Sequence, residues 1–229
     1  MLAQMSSSVD ISKSEASRYA LIRRLSFVFR HHLVVNLQPL SMIYQVMHHR
    51  LNATPVDVSA MHDCVDQANR LVRTSIDSCM DVVSWLTAES DATVNAALGV
   101  KQCLGNVRSN LSFRGFVIQY EEPSLDMHIN QCALREVLTA ALLAATDHAE
   151  GMTDISLSML AVPNAVGITL QLQRGDGESS PQHGAYRLIG WDDVQILAEL
   201  HGVDFSHRSN ELVKIRIAQS PETRSETSS

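Results

Sequence analysis

Histidine is the side chain whose placement in this sequence most suggests chemistry. His31 and His32 stand side by side within FRHHLVVNLQPLSMI, residues 29–43. A neutral imidazole, with an ordinary pKa of ~6.5, carries a free lone pair near neutral pH and can act as a nucleophile. To receive a group carried by another protein, it must face water in the middle of a helix. The apolar residues Ile22, Leu25, Phe29, Leu33, Leu40, Ile43 and Met47 recur at helical steps, with Asn36 in the gap. If Leu33 faces that seam, a turn of about 100° per residue points His31 roughly 160° away and His32 roughly 100° to one side. His31 is the first candidate acceptor and His32 the alternative. Val28 and Val35 bracket His31 on the outward face, and Val34 flanks it. The seam does not account for these apolar residues. With His32 and Asn36 they make a candidate partner-binding patch. A wider buried stripe is the competing reading.

Other chemistry-bearing groups read as structural. His48 and His49 fall near a helix end, where cationic side chains suit the dipole. Gly175-Asp176-Gly177 reads as a turn, and Asp192-Asp193 as acidic residues at a helix start. His148 and the methionines at helical spacing read as packing. The four cysteines, Cys64, Cys79, Cys103 and Cys132, are far apart and form no Cys-x-x-Cys pair, which argues against a zinc site or a disulfide framework. A reducing cytoplasm is the expected location.

The elements that must carry these groups follow from periodicity. Between Ser14 and Leu51 there is no glycine and a single proline, Pro39, expected to bend the helix or loosen one hydrogen bond. Thr54-Pro55 breaks this helix, and Asp57 or Ser59 caps the next. Residues 60–86 carry Met61, Val65, Ala68, Leu71, Ile76, Met80, Val83 and Leu86 at helical spacing, ending near Glu89-Ser90-Asp91. Two long helices and a short loop make an antiparallel hairpin. Two helices alone bury little, so a dimeric four-helix bundle is expected. Beyond residue 92 the pattern changes. Helices are expected over 94–107, 134–148 and 191–201, the last stopped at Gly202. Strands are expected over 116–120, 155–160, 166–173 and 212–217, with Pro163-Asn164-Ala165 near a hairpin turn. The fold class is therefore α+β, with helices on one face of a mixed sheet. The expected domains are a disordered tail over 1–13, the hairpin over 14–90, the α/β body over 91–218 and a disordered tail over 219–229.

Composition excludes several classes. The chain has 229 residues, 18 Lys plus Arg and 25 Asp plus Glu, a formal charge of −7, which argues against a nucleic-acid binder relying on a basic surface. Aromatics make up only 5%, which leans away from a β-sandwich. The first residues lack a basic region followed by an apolar run, so no signal peptide is expected. No apolar stretch approaches the ~18–20 residues of a membrane span.

Three stretches resemble the catalytic core of bacterial histidine kinases, a phosphoacceptor hairpin followed by a GHKL (Bergerat-like) ATPase domain. Residues 29–43 resemble the H-box of the subfamily reading H-x-[VL]-x-x-N-L-Q-x-[IL], here His31, Leu33, Asn36, Leu37, Gln38 and Leu40. LREVLTAALLAATDHA (134–149) resembles the N-box helix, and 188–217, with its ELHG end, the C-terminal helix and closing strand. The departures imply more than the matches. The two N-box asparagines fall at Ala140 and Ala144, the adenine-binding aspartate near Arg174, and the glycine-rich lid is reduced to Gly190. Magnesium requires oxygen ligands, which a methyl group does not supply. The resemblance is thus to ChpT-type histidine phosphotransferases, built on a degenerate kinase body that no longer uses ATP. It implies a cytoplasmic homodimer in a two-component phosphorelay that passes phosphate between receiver-domain aspartates through a phosphohistidine, without autokinase activity. The implied partners are response-regulator receiver domains, with a hybrid histidine kinase as a further implied partner. No cofactor is implied in this chain, since Mg2+ would come with the receiver. A pseudokinase adaptor or inhibitor that binds a regulator or kinase without being phosphorylated is the alternative.

Overall fold

The computed structural model describes residues 2–87, 91–149, 151–177 and 186–221, with side chains from residue 11 onward. It is α+β. Helix α1 (Leu2–Leu51) and helix α2 (Val58–Leu86) come first. Strand β1 (Thr93–Asn95), α3 (Ala96–Phe113), β2 (Val117–Tyr120), β3 (His128–Asn130) and α4 (Gln131–Asp147) follow. The chain continues with β4 (Asp154–Val162), β5 (Ala165–Gln173), α5 (Trp191–Leu200), β6 (Asp204–Arg208) and β7 (Leu212–Ala218). It divides into two compact units, Ser26–Ala88 in one and residues 1–25 with 89–229 in the other. One boundary falls inside α1, after Leu25, and the other after Ala88.

The larger unit holds a five-stranded sheet in the order β2-β4-β5-β7-β6. β2 and β4 are parallel and the other pairs antiparallel; a separate ribbon pairs β1 with β3. Period-two burial gives the sheet one covered face. Ile155, Leu157, Met159, Ile168, Leu170, Leu172, Val213, Ile215 and Ile217 are buried, while Ser158, Gln171, Lys214 and Arg216 are exposed. Helix α4 contacts β7 and packs between α3 and α5. Every residue from Ala133 to Asp147 except Glu136 is buried. Gly99 of α3 permits the close approach, because a Cβ there would meet Leu134 Cδ2 at 2.5 Å and Val94 Cγ1 at 2.9 Å. Asn95 and Asn130 cap α3 and α4 through side-chain oxygens that accept backbone N–H groups. Gly202, at φ +62°, ends α5 as expected.

The N-terminal half of α1 is part of this unit. Ser14, Ser17, Ala20, Leu21 and Leu25 are buried. Three polar ties reinforce them. Ser17 Oγ donates to Asp193 Oδ1 at 2.8 Å, and Arg18 Nε lies 3.0 Å from Glu136. Arg24 Nη2 donates to Asp147 Oδ1 at 2.7 Å. Glu136 also lies 2.8 Å from His201 Nε2. Asp147 draws donors from three places in the chain. Arg114, the C-cap of α3, donates to the same Oδ1 at 3.0 Å, and the Ile189 N–H donates to Oδ2 at 3.2 Å. Burial pulls the Arg114 guanidinium below its usual range, as does the nearby Arg24 charge, against the raising effect of Asp147.

Several expectations change. α1 begins at Leu2 where a frayed 1–13 was expected, and it continues through Pro39. α3 runs on to Phe113, and β1, β3 and β6 are additional. Those three strands hold only three to five residues each, too short for alternation to mark them. Residues 89–90 of the expected α2 end and 222–229 of the expected tail lie outside the described residues. His148 is not packing: its ring is exposed, and its carbonyl accepts Asn210 Nδ2 at 2.7 Å. Met42 and Met80, 66% and 61% exposed, are not core either, because they lie on hairpin faces that the sister helix does not cover.

The Asp147 side chain has no exposed surface, so Asp147→Ala leaves Arg24 and Arg114 without their shared carboxylate. A loss of about 3–5 kcal/mol in folding free energy is expected by urea denaturation. A loss below about 1 kcal/mol would show that the cluster does not hold the unit together.

Candidate functional site

The hairpin unit contains the histidine pair. Asp57 caps α2 by accepting the Ala60 N–H, one of the two caps expected. The helices run antiparallel. Phe29 meets Trp85 with ring centroids 5.7 Å apart, Ser75 Oγ lies 2.9 Å from the Asn36 carbonyl, and Arg50 donates to the Ala60 carbonyl. Ser75 is a buried polar residue that seats α2 on the α1 backbone, one to two turns beyond His31. Pro39 lacks the N–H that would bond the Val35 carbonyl, so Val35 has no helical donor there. At the far end, Asn52 donates to the His48 carbonyl, and His48 and His49 stand in the last turn.

Around the candidate acceptor the faces sort as follows. His31 is exposed and His32 half-buried, with ring centroids 6.4 Å apart and planes tilted by 48°. Val34 and Val35 are each 47% exposed. Val28, placed on the outward face by its spacing, is only 8% exposed. It belongs to a buried stripe with Leu25 and Phe29, wider than the seam alone. Asn36 is half-buried on the seam side, where its carbonyl accepts Ser75. The structure therefore brings His31, Val34 and Val35 to the surface together and turns Val28 and Asn36 away. Met42 and Val46, both exposed, lie within roughly 60° of the His31 direction around α1 and extend this surface. They carry the ordinary apolar spacing of a helix, and their exposure had no sequence signal. Among the described residues nothing hydrogen-bonds the His31 ring, so no neighbouring carboxylate orients it.

A second exposed feature belongs to the same unit. On α2, Val58, Val65, Val72, Ile76, Met80 and Val83 are exposed and share an arc of roughly 80°. On α1, Leu37, Tyr44 and Leu51 repeat at intervals of seven and are also exposed. Both stripes lie beside the intramolecular seam, which is how a helix pair is patterned when more helices cover it.

The stretches that resemble nucleotide-binding boxes lie in the larger unit. Ala140 and Ala144 are fully buried within α4. Ile189, next to Gly190, is fixed to Asp147 through its N–H. A Cβ on Gly175 would collide with the Thr153 hydroxyl and approach both Asp154 carboxylate oxygens at 2.8 Å, which suits a tight turn rather than a phosphate loop. Asp193 stands in the first turn of α5, as read, but does more than complement the dipole. It accepts the Gly190 N–H at 2.9 Å, two Arg187 nitrogens at 2.9 and 2.7 Å, and the Ser17 hydroxyl. The four cysteines are free, and no three His, Cys, Asp or Glu side chains among the described residues gather as metal ligands. No helix among the described residues is long and apolar enough to cross a membrane.

Comparison with solved structures returns histidine kinases. The chain is similar to histidine kinase AdeS of Acinetobacter baumannii at 14% identity and a TM-score of 0.41, covering 80% of this chain and 98% of that one. It is similar to a histidine kinase of Burkholderia phymatum at 15% identity and 0.42, covering 86% and 97%. It is also similar to the catalytic domain of histidine kinase ThkA at 12% and 0.42, covering 58% and 98%. At these identities and scores none of them bears on chemistry. No protein-family model matches the sequence, and no curated protein matches it.

Burial alone would raise the Asp193 carboxyl, but the hydrogen bonds from Arg187, Gly190 and Ser17, with the Arg187 charge, outweigh it and hold the group below its ordinary range. A depressed carboxyl stabilises the fold above its unfolded pKa of about 4 and loses that contribution as pH falls through its lower folded value. Urea unfolding between pH 7 and pH 2 should therefore show wild type losing stability more steeply below about pH 4 than Asp193→Asn. Parallel curves for the two proteins would contradict the assignment.

Proposed function

We propose that this chain is a histidine phosphotransferase of a two-component phosphorelay, with His31 as phosphoacceptor and His32 as the alternative. The observation that carries the reading is an exposed imidazole midway along a paired helix, next to exposed Val34 and Val35. In the proposed transfer a His31 ring nitrogen attacks the phosphorus of a receiver's aspartyl phosphate. The N–P bond forms as the O–P bond breaks, and the carboxylate leaves with its electron pair. The reverse step passes the group to a second receiver aspartate. Charge neutralisation by Mg2+ is left to the receiver's acidic pocket, so this chain supplies a positioned nucleophile and a docking surface. The buried methyl groups of Ala140 and Ala144 support a body that does not charge His31 from ATP. The apolar stripes of α2 and α1 support a homodimeric four-helix bundle, with the His31 surface left open. Partners of this class place the protein in the cytoplasm.

One observation favours the second reading, a pseudokinase adaptor that binds a regulator or kinase without being phosphorylated. Among the described residues the His31 ring has no hydrogen-bond partner to set its tautomer. The two readings separate on a phosphorylated receiver. Wild type should acquire acid-labile phosphate, and His31→Ala should lose at least 100-fold in transfer rate while His32→Ala retains it. Binding that survives His31→Ala, with no label on wild type, supports the adaptor.

Val35→Asp should weaken receiver binding by about tenfold or more without changing the melting temperature, because it puts a like charge before an acidic partner. An unchanged dissociation constant would move the docking surface elsewhere. Val72→Glu, paired with Val65→Glu, should convert a dimer to a monomer in light scattering; a monomeric wild type would remove the bundle.

A further inference from the structure

From Ser26 to Leu51, helix α1 contains no aspartate or glutamate. Its charged groups are Arg30 and Arg50, accompanied by His31, His32, His48 and His49. Helix α2 carries Asp63, Asp66, Asp77 and Asp81 against Arg70 and Arg73. The hairpin is thus basic along α1 and acidic along α2, in a chain of net charge −7. Arg50 is committed, because it donates to the Ala60 carbonyl at 2.8 Å. Arg30 is not. Among the described residues no carboxylate pairs with it and no acceptor engages its N–H groups. Its guanidinium stands over the Phe27 ring, 5.4 Å from the centroid. Phe27 is 60% exposed, and the hairpin seam does not account for it. A turn of about 100° per residue places Phe27 roughly 40° from the His31 direction, one turn nearer the N-terminus. Arg30 itself starts roughly 100° away, at the head of the series that Leu37, Tyr44 and Leu51 continue. The contact with Phe27 draws the charge off that stripe and toward the His31 face. A guanidinium resting on an aromatic ring keeps its planar fork of donors, which matches a carboxylate through two parallel bonds. Aromatic and arginine side chains are also the usual anchors of protein interfaces.

We propose that Arg30, braced by Phe27, is the anchor on α1 for an acidic partner, the rim of a receiver domain's acidic pocket. This deepens the receiver reading above and rests on it. Arg30 acts in docking and takes no part in the transfer step, so His31 remains the group that meets the phosphorus. The acid-free stretch of α1 supplies the charge complementarity that such a partner needs. A second copy of this chain is the competing occupant, because Arg30 heads the stripe assigned to the homodimer.

The test titrates the isolated receiver domains encoded in the same genome, one by one, into the full chain by calorimetry with Mg2+ present. At least one should bind wild type, and Arg30→Glu should weaken that binding by about tenfold or more. Phe27→Ala, which keeps the charge and removes its brace, should weaken it by about threefold. Raising NaCl from about 50 to about 500 mM should weaken wild type markedly more than Arg30→Glu. Both side chains are exposed, so both variants keep the wild-type melting temperature. Unchanged affinity in Arg30→Glu, equal salt dependence in the two proteins, or a change of oligomeric state in Arg30→Glu by light scattering would each overturn the proposal. Binding by no receiver would overturn it together with the receiver reading. Phosphate on His31 with unchanged binding in Arg30→Glu would overturn the anchor alone. Binding that falls in Arg30→Glu while His31 takes no phosphate would support the anchor and overturn only the transfer.

Discussion

The larger unit depends on one buried carboxylate. Asp147 ends α4 and joins the guanidinium of α1, the C-cap of α3 and the backbone just before α5. Each of those donors is costly to bury alone. Together they share one anion whose side chain has no exposed surface, and so they converge on it. The neighbouring ties, Arg18 with Glu136 and Ser17 with Asp193, repeat the arrangement along the same helix. The N-terminal half of α1 is thereby a structural layer of the α/β unit, while its C-terminal half serves the hairpin.

This arrangement bears on what the α/β unit can do. Two positions that resemble the N-box asparagines hold buried alanine methyls, and the glycine that resembles a lid remnant caps a helix through Asp193. Asp147 and Asp193 there are engaged by other protein groups.

Much of the fold was legible from residue spacing. Long helices with seven-residue apolar recurrence, β4 and β5 with their turn at Pro163-Asn164, and the Gly202 stop all carry strong local signals. The exposure of His31 followed from helical geometry alone. What spacing missed depends on neighbours distant in sequence. Val28 occupies the angle of an outward residue, yet it is buried as part of a wider stripe. Asn36 reads as a motif residue, yet its carbonyl is engaged by Ser75 from α2. Arg24 and Asp147 are 123 residues apart, and nothing local to either reveals the pairing. Short strands such as β1 and β3 are set by pairing with each other, not by their own pattern.

The central claim is that His31 carries the phosphoryl group. Its most direct test is mass-spectrometric mapping of the chain after exposure to a phosphorylated receiver, with peptides kept at neutral to alkaline pH so that phosphohistidine survives. The account predicts a single phosphate on the peptide containing His31, with fragment ions that place it on that residue. Phosphate on any residue other than His31, His32 included, or none anywhere while the receiver remains bound, would contradict it.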